Sequence, residues 1–136
     1  MSQMKRIGGK VSLANILVVF LGGGLGATLR YGLSGSVYRF VGADFPYGTM
    51  LVNAVGSFLI GFLMTFFEDR FVVQPALRVF LTVGVLGGFT TFSTFSYETV
   101  MLMKEAAYLQ ATANILSTVL ICLGGCWTGS IIGRTL

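Results

Sequence analysis

The chain contains no histidine, two cysteines and two prolines in 136 residues. Without imidazole, neither a Ser–His nor a Cys–His nucleophile pair can form, and histidine-based zinc sites are excluded. Cys122 and Cys126 stand four apart in a helical pattern. That spacing holds their Cβ atoms ~5–6 Å apart on a helix, too far for an unstrained disulfide. Charge is also scarce, at 10% of residues, against roughly 25% in an average soluble domain. No metal-ligand cluster, disulfide framework or nucleophile–base pair is present, so no enzyme is expected. The net charge of +4 is no nucleic-acid footprint, because Lys5, Arg6 and Lys10 crowd the first ten residues. Basic residues beside a membrane segment are expected near anionic headgroups, and no nucleic-acid partner is predicted.

What the chain has in abundance is apolar sequence: 54% hydrophobic residues and a mean hydropathy of +0.84. A membrane helix needs ~20 mostly apolar residues, and four stretches qualify, so the chain reads as one all-α integral membrane domain, 1–136. The first span runs from about 11 to 33, the second 47–67, the third 75–103 and the fourth 108–133. Basic residues ahead of an apolar run mimic a signal peptide, but the later spans make this stretch the first membrane helix. Pro46 and Pro75 suit first helical turns. The charges of Glu68, Asp69 and Arg70 end the second span, and Lys104 and Glu105 separate the third from the fourth. Tyr31, Tyr47, Tyr97 and Tyr108 suit interfacial anchoring.

An even number of spans puts both termini on one side. That side carries Lys5, Arg6, Lys10, Arg70, Arg78 and Arg134, the other Arg30, Arg39 and Lys104, which favours termini inside. Without the N-terminal tail the two sides balance.

Small residues recur at helical spacing. Gly22 and Gly26, Gly23 and Ala27, and the strip Gly56, Ser57 and Gly61 permit close backbone approach in lipid, where packing replaces the missing hydrophobic drive. They fit contacts within the chain or across a homodimer, and so thin a bundle predicts an oligomer.

The few polar groups within the spans carry the functional signal. Asn53 fits two roles, interhelical glue or a pore-lining NH₂ donor. Asn114, Thr118, Cys122 and Cys126 form one slowly drifting stripe with Ser117 beside it. The stripe is either a track of uncharged donors or a packing seam. Arg30 either snorkels to the interface or concentrates anions at a pore mouth. Glu98 is the one carboxylate placed near hydrocarbon, which leaves a proton-coupled relay poorly supplied and passive conduction open.

The third span holds "GGFTTFSTFSYE", Gly87 to Glu98. The glycine pair loosens the helix, and the hydroxyls that follow can stabilise a break. Irregular backbone at membrane depth is tolerated where it is buried or lines a cavity. Phe89, Phe92 and Phe95 recur every three residues on roughly one side, and a phenyl ring has a positive edge.

This stretch closely resembles the signature of the Fluc/CrcB family of fluoride ion channels. "GATLRYGLS" at 26–34 looks like the family's first-helix end, and "YGTMLVNAVGSFLIG" at 47–61 like its second helix. The resemblance implies an antiparallel, dual-topology homodimer with four transmembrane helices per subunit, the third broken near its middle. It implies two pores that passively export fluoride through a bacterial-type plasma membrane, relieving toxicity. It also implies a structural Na⁺ at the dimer centre, held by main-chain carbonyls of Gly87 and Thr90. Phe92 and Phe95 become the pore phenylalanines, Asn53 the pore asparagine and Arg30 the vestibule arginine. Ser93, Thr94 and Glu98 support the path. On the fourth helix the family's track is often Ser/Thr with a tyrosine; here Asn114, Thr118 and Cys122 stand there, of which Thr118 is the better donor. The alternative is a small multidrug-type dual-topology transporter, whose chemistry needs a carboxylate in the first span, and none lies between Val11 and Leu33.

Overall fold

A computed structural model describes residues 11–69 and 73–135. Lys5, Arg6, Lys10 and Arg70, which enter the charge count above, lie outside the described residues. Helix α1 is Leu13–Val41 and α2 Tyr47–Asp69. Helix α3 covers 75–89 and is composite: an α turn Pro75–Val79, a π-helical stretch Phe80–Leu86 and a final turn Gly87–Phe89. Helix α4 is Phe92–Lys104 and α5 Tyr108–Thr135. Counting α3 and α4 as one bent span, four helices among the described residues are long and apolar enough to cross a membrane.

The ends follow local chemistry. The Ser12 hydroxyl accepts the Asn15 amide at 3.2 Å and caps α1. The helix does not end near Leu33 but continues to Val41. Ser34 and Ser36 turn their hydroxyls back onto the carbonyls of Arg30 and Gly32, at 2.7 and 2.8 Å, so these polar residues are accommodated inside the helix. Gly42, with φ 93, then stops it. Ala106, with φ 57, makes the tight turn between α4 and α5.

Helix α1 lies along α3, and α2 along α5. Both contacts are close enough to require glycine. A Cβ at Gly22 would stand 2.8 Å from the Phe80 carbonyl oxygen, and one at Gly133 2.6 Å from that of Phe62. A Cβ at Gly26 would overlap the Val85 carbonyl, and one at Gly61 that of Cys126. The strips at Gly22/Gly26 and Gly61 are therefore contacts within the chain. Gly23 and Gly24 have open space where a Cβ would stand.

The interior is unusually polar. Thr49, Asn53, Thr82, Thr91, Thr99, Asn114 and Thr118 are all buried, whereas Phe20, Leu123 and Trp127 are exposed on the outer faces. In lipid the exterior needs no polar coat, and polar groups go inward to find partners.

Candidate functional site at the interrupted third span

The third span opens at Thr90 (φ −82, ψ 156) and Thr91 (φ −151, ψ 113), both extended. Gly87 itself is helical, with φ −63 and ψ −36. The glycine pair thus precedes the opening and does not form it.

The cause lies on α2. The Thr91 amide donates to Asn53 Oδ1 at 2.7 Å, and Asn53 Nδ2 donates to the Thr91 carbonyl at 3.0 Å. A buried carboxamide thus replaces both helical partners of one residue. On the other side of the opening, the Thr91 hydroxyl caps α4 by accepting the Thr94 amide at 3.2 Å, and donates to Thr94 Oγ1 at 3.0 Å. From α1, Arg30 Nη1 donates to the Thr90 carbonyl at 3.1 Å. The guanidinium therefore turns inward to the break and does not snorkel to an interface.

Carbonyls ahead of the opening lose their helical donors, those of Gly87 and Thr90 among them. In an unbroken helix the Thr91 amide would close on Gly87 and the Thr94 amide on Thr90. Both amides are diverted, to Asn53 and to the Thr91 hydroxyl. Unwound carbonyls of this kind are the usual ligands of an alkali cation at membrane depth. The Thr90 oxygen, which already accepts from Arg30, keeps a second lone pair. Space is open beside Gly87. No group of three or more Cys, Asp or Glu among the described residues could hold a metal, and the donors at the opening are main-chain oxygens.

Beside the break is a cavity of about 300 Å³, lined among others by Asn53, Thr90, Phe92, Phe95, Thr118 and Cys122. It gathers residues from α2, α4 and α5 at one place. The Phe92 and Phe95 rings stand 5.4 Å apart with planes inclined at 45°. Phe95 is 8% exposed and Phe92 78%. Phe89 does not join them: it lies before the break and lines a groove beside α1. The bent backbone interrupts the three-residue repeat.

Ser93, Thr94, Arg30 and Glu98 do not line this cavity. Ser93 and Thr94 are exposed beside the Thr91 cap. Glu98 sits two turns further along α4, where its Oε1 accepts from the Tyr38 hydroxyl at 2.9 Å and the Thr49 hydroxyl at 2.8 Å. It borders a second, polar cavity of about 660 Å³ with Asp44, Tyr97 and Glu105.

A ladder of polar side chains runs behind the first cavity, from Phe95 on α4 to Thr118 on α5. Thr99 donates to the Phe95 carbonyl at 2.7 Å, Asn114 Nδ2 donates to Thr99 Oγ1 at 2.9 Å, and Thr118 donates to Asn114 Oδ1 at 3.2 Å. Cys122 and Cys126 are free thiols. Thr91 and Thr99 join the site without a signal in the sequence. Thr91 stands within the signature, but its partner is 38 residues away, and linear spacing carries no trace of such a pair.

A family model described as CrcB-like protein, Camphor Resistance (CrcB), matches residues 17–130. The chain is 48% identical over 124 residues to a Geobacter metallireducens protein named fluoride-specific ion channel FluC, spanning 91% of this chain and 100% of that one. A protein of the same name from Geotalea daltonii is 52% identical over 119 residues, or 86% of this chain and 96% of the relative. Another, from Magnetococcus marinus, is 47% identical over 118 residues, or 87% and 96%.

Proposed function

The chain belongs to the CrcB family, and from that membership we propose that it is a fluoride-selective channel, a multi-pass protein of the bacterial plasma membrane and not an enzyme. The observation that carries the site is the meeting of Asn53, Phe92, Phe95 and Thr118 around one cavity at an opened helix. A small anion that holds water tightly must be offered replacement partners at close quarters. The remaining Asn53 N–H and the positive edges of the rings can supply them. Arg30 adds positive charge beside the break, and the Ser93 and Thr94 hydroxyls and Glu98 extend the polar path to either side. The multidrug-type alternative is not favoured, since α1 contains no carboxylate at all.

Transport is passive. Fluoride enters an acid-exposed cell as neutral HF, dissociates inside, and is driven outward by the negative-inside potential through an open pore. The functional unit is an antiparallel homodimer with two pores. Its support is the exposure of Phe92 and of the α1 face carrying Gly24 in a single subunit, which leaves surface for a second copy as well as for lipid. Main-chain carbonyls of Gly87 and Thr90, with those of the second subunit, would hold the Na⁺, which supplies fixed positive charge where the breaks meet.

The test is fluoride efflux from liposomes carrying the purified protein, followed with a fluoride electrode. Rapid fluoride release without chloride release, reduced at least tenfold by Phe95→Ile, is expected. Equal chloride release, or none of either ion, would end the proposal.

A further inference from the structure

Thr118 lines the cavity, yet its single hydroxyl proton is committed elsewhere. The commitment follows from the direction of the ladder. The Phe95 carbonyl can only accept, so the Thr99 hydroxyl at 2.7 Å must donate to it. The lone pairs of Thr99 are then what faces Asn114, and only the amide NH₂ can meet them, at 2.9 Å. That fixes the carboxamide with Oδ1 toward Thr118, whose hydroxyl donates to it at 3.2 Å. Asn114 is 1% exposed and Thr99 5%, so no solvent relieves either end. In this arrangement Thr118 shows the cavity lone pairs and a methyl group. An anion is repelled by the first and gains no hydrogen bond from the second.

We propose that Asn114 is the positioning residue that decides whether Thr118 meets the permeating anion as a donor. This rests on the channel reading above and adds to it. With Oδ1 toward Thr118, the threonine proton points away from the path. When the amide turns over, Nδ2 donates to Thr118 and the hydroxyl proton is released toward the cavity. Turning requires Thr99 to leave the Phe95 carbonyl or the Asn114 oxygen to lose its donor, so the ladder resists it. The carbonyl that anchors the ladder belongs to Phe95, one of the two ring-bearing residues of the cavity. Ring position and donor direction are therefore set by the same turn of α4.

Two substitutions release the proton from opposite ends. Asn114→Leu removes the competing acceptor at similar volume. Thr99→Val removes the hydroxyl that orients the amide, also at similar volume, and serves where Asn114→Leu does not reconstitute. Fluoride efflux is measured against fluoride concentration for each variant, alone and combined with Thr118→Val. Each single variant should lower the half-saturating fluoride concentration by about three- to tenfold, the equivalent of one net hydrogen bond. Neither should shift it in the Thr118→Val background, because both act through that hydroxyl; a purely structural role would give the same change with or without it. Equal shifts in both backgrounds, or no shift from either single variant, overturn the inference. A parent protein that releases no fluoride overturns the channel reading itself, which is a separate result.

Discussion

Two buried asparagines act on the same cavity, Asn53 as part of its lining and Asn114 through Thr118. Asn53 gives its carboxamide to main chain, taking both polar groups of Thr91. Asn114 gives its carboxamide to side chains, linking the hydroxyls of Thr99 and Thr118. The first kind of bond fixes the path of the backbone. The second fixes which way protons point while leaving the helix undisturbed. A membrane-buried amide thus acts on shape or on polarity according to its partner, and the two should fail differently when removed.

The largest effect is expected at Asn53. Asn53→Leu leaves the Thr91 amide and carbonyl without partners in a buried site, and each such group costs about 1–3 kcal/mol. The third span then regains stability by closing its helix across Thr90 and Thr91, which turns Phe92 and Phe95 away from their present positions. Fluoride efflux should fall at least tenfold, and the melting temperature in detergent should drop. Asn53→Asp should do nearly as much harm, since a second oxygen would face the Thr91 carbonyl where Nδ2 now donates. A melting temperature and an efflux rate both unchanged by Asn53→Leu would show that the break does not depend on the clamp.

This contrast also marks how far the sequence could be read. The four spans were legible because hydropathy and span length answer to the same quantity, the thickness of hydrocarbon. The end of α1 was not, because Ser34 and Ser36 satisfy their hydroxyls on the helix itself and give no signal to stop before Gly42. The bent third span was anticipated from its glycines, but the opening falls at Thr90 and Thr91, where Asn53 intercepts an amide from another helix. The π-helical stretch Phe80–Leu86 left no mark in composition. Asn53, Phe92, Phe95 and Thr118 were expected at one site and line one cavity. The direction of each hydrogen bond there depends on partners brought together by folding.

A smaller effect is expected where a carboxyl group takes the place of an amide. Glu98 Oε1 receives two hydroxyls, from Tyr38 on α1 and Thr49 on α2, while its Oε2 is buried without a partner among the described residues. Glu98→Gln keeps an acceptor for both hydroxyls and should change stability by less than about 1 kcal/mol. Glu98→Leu removes the shared acceptor and leaves the two hydroxyls only their 3.2 Å contact with each other, and should cost about 1–3 kcal/mol. Thermal melts of the two variants side by side check the difference. Equal losses would mean that an acceptor at this position is not enough to hold α4 against α1 and α2.

The smallest perturbation separates the two thiols one helical turn apart on α5. Cys122 lines the cavity with Asn53 and Thr118. Cys126 does not, and its carbonyl is packed against Gly61 of α2. A small anionic methanethiosulfonate reagent that reaches the cavity should therefore slow efflux by attaching to Cys122, by about twofold or more, since the added group competes for the same space as the ion. Cys122→Ala should abolish the sensitivity, and Cys126→Ala should preserve it. Because alanine at 122 removes only a weak donor, efflux of the unmodified variant should stay close to that of the parent. If modification works only through Cys126, the ion does not pass along the α5 face that carries Thr118, and the polar ladder would then stand behind the path and not beside it.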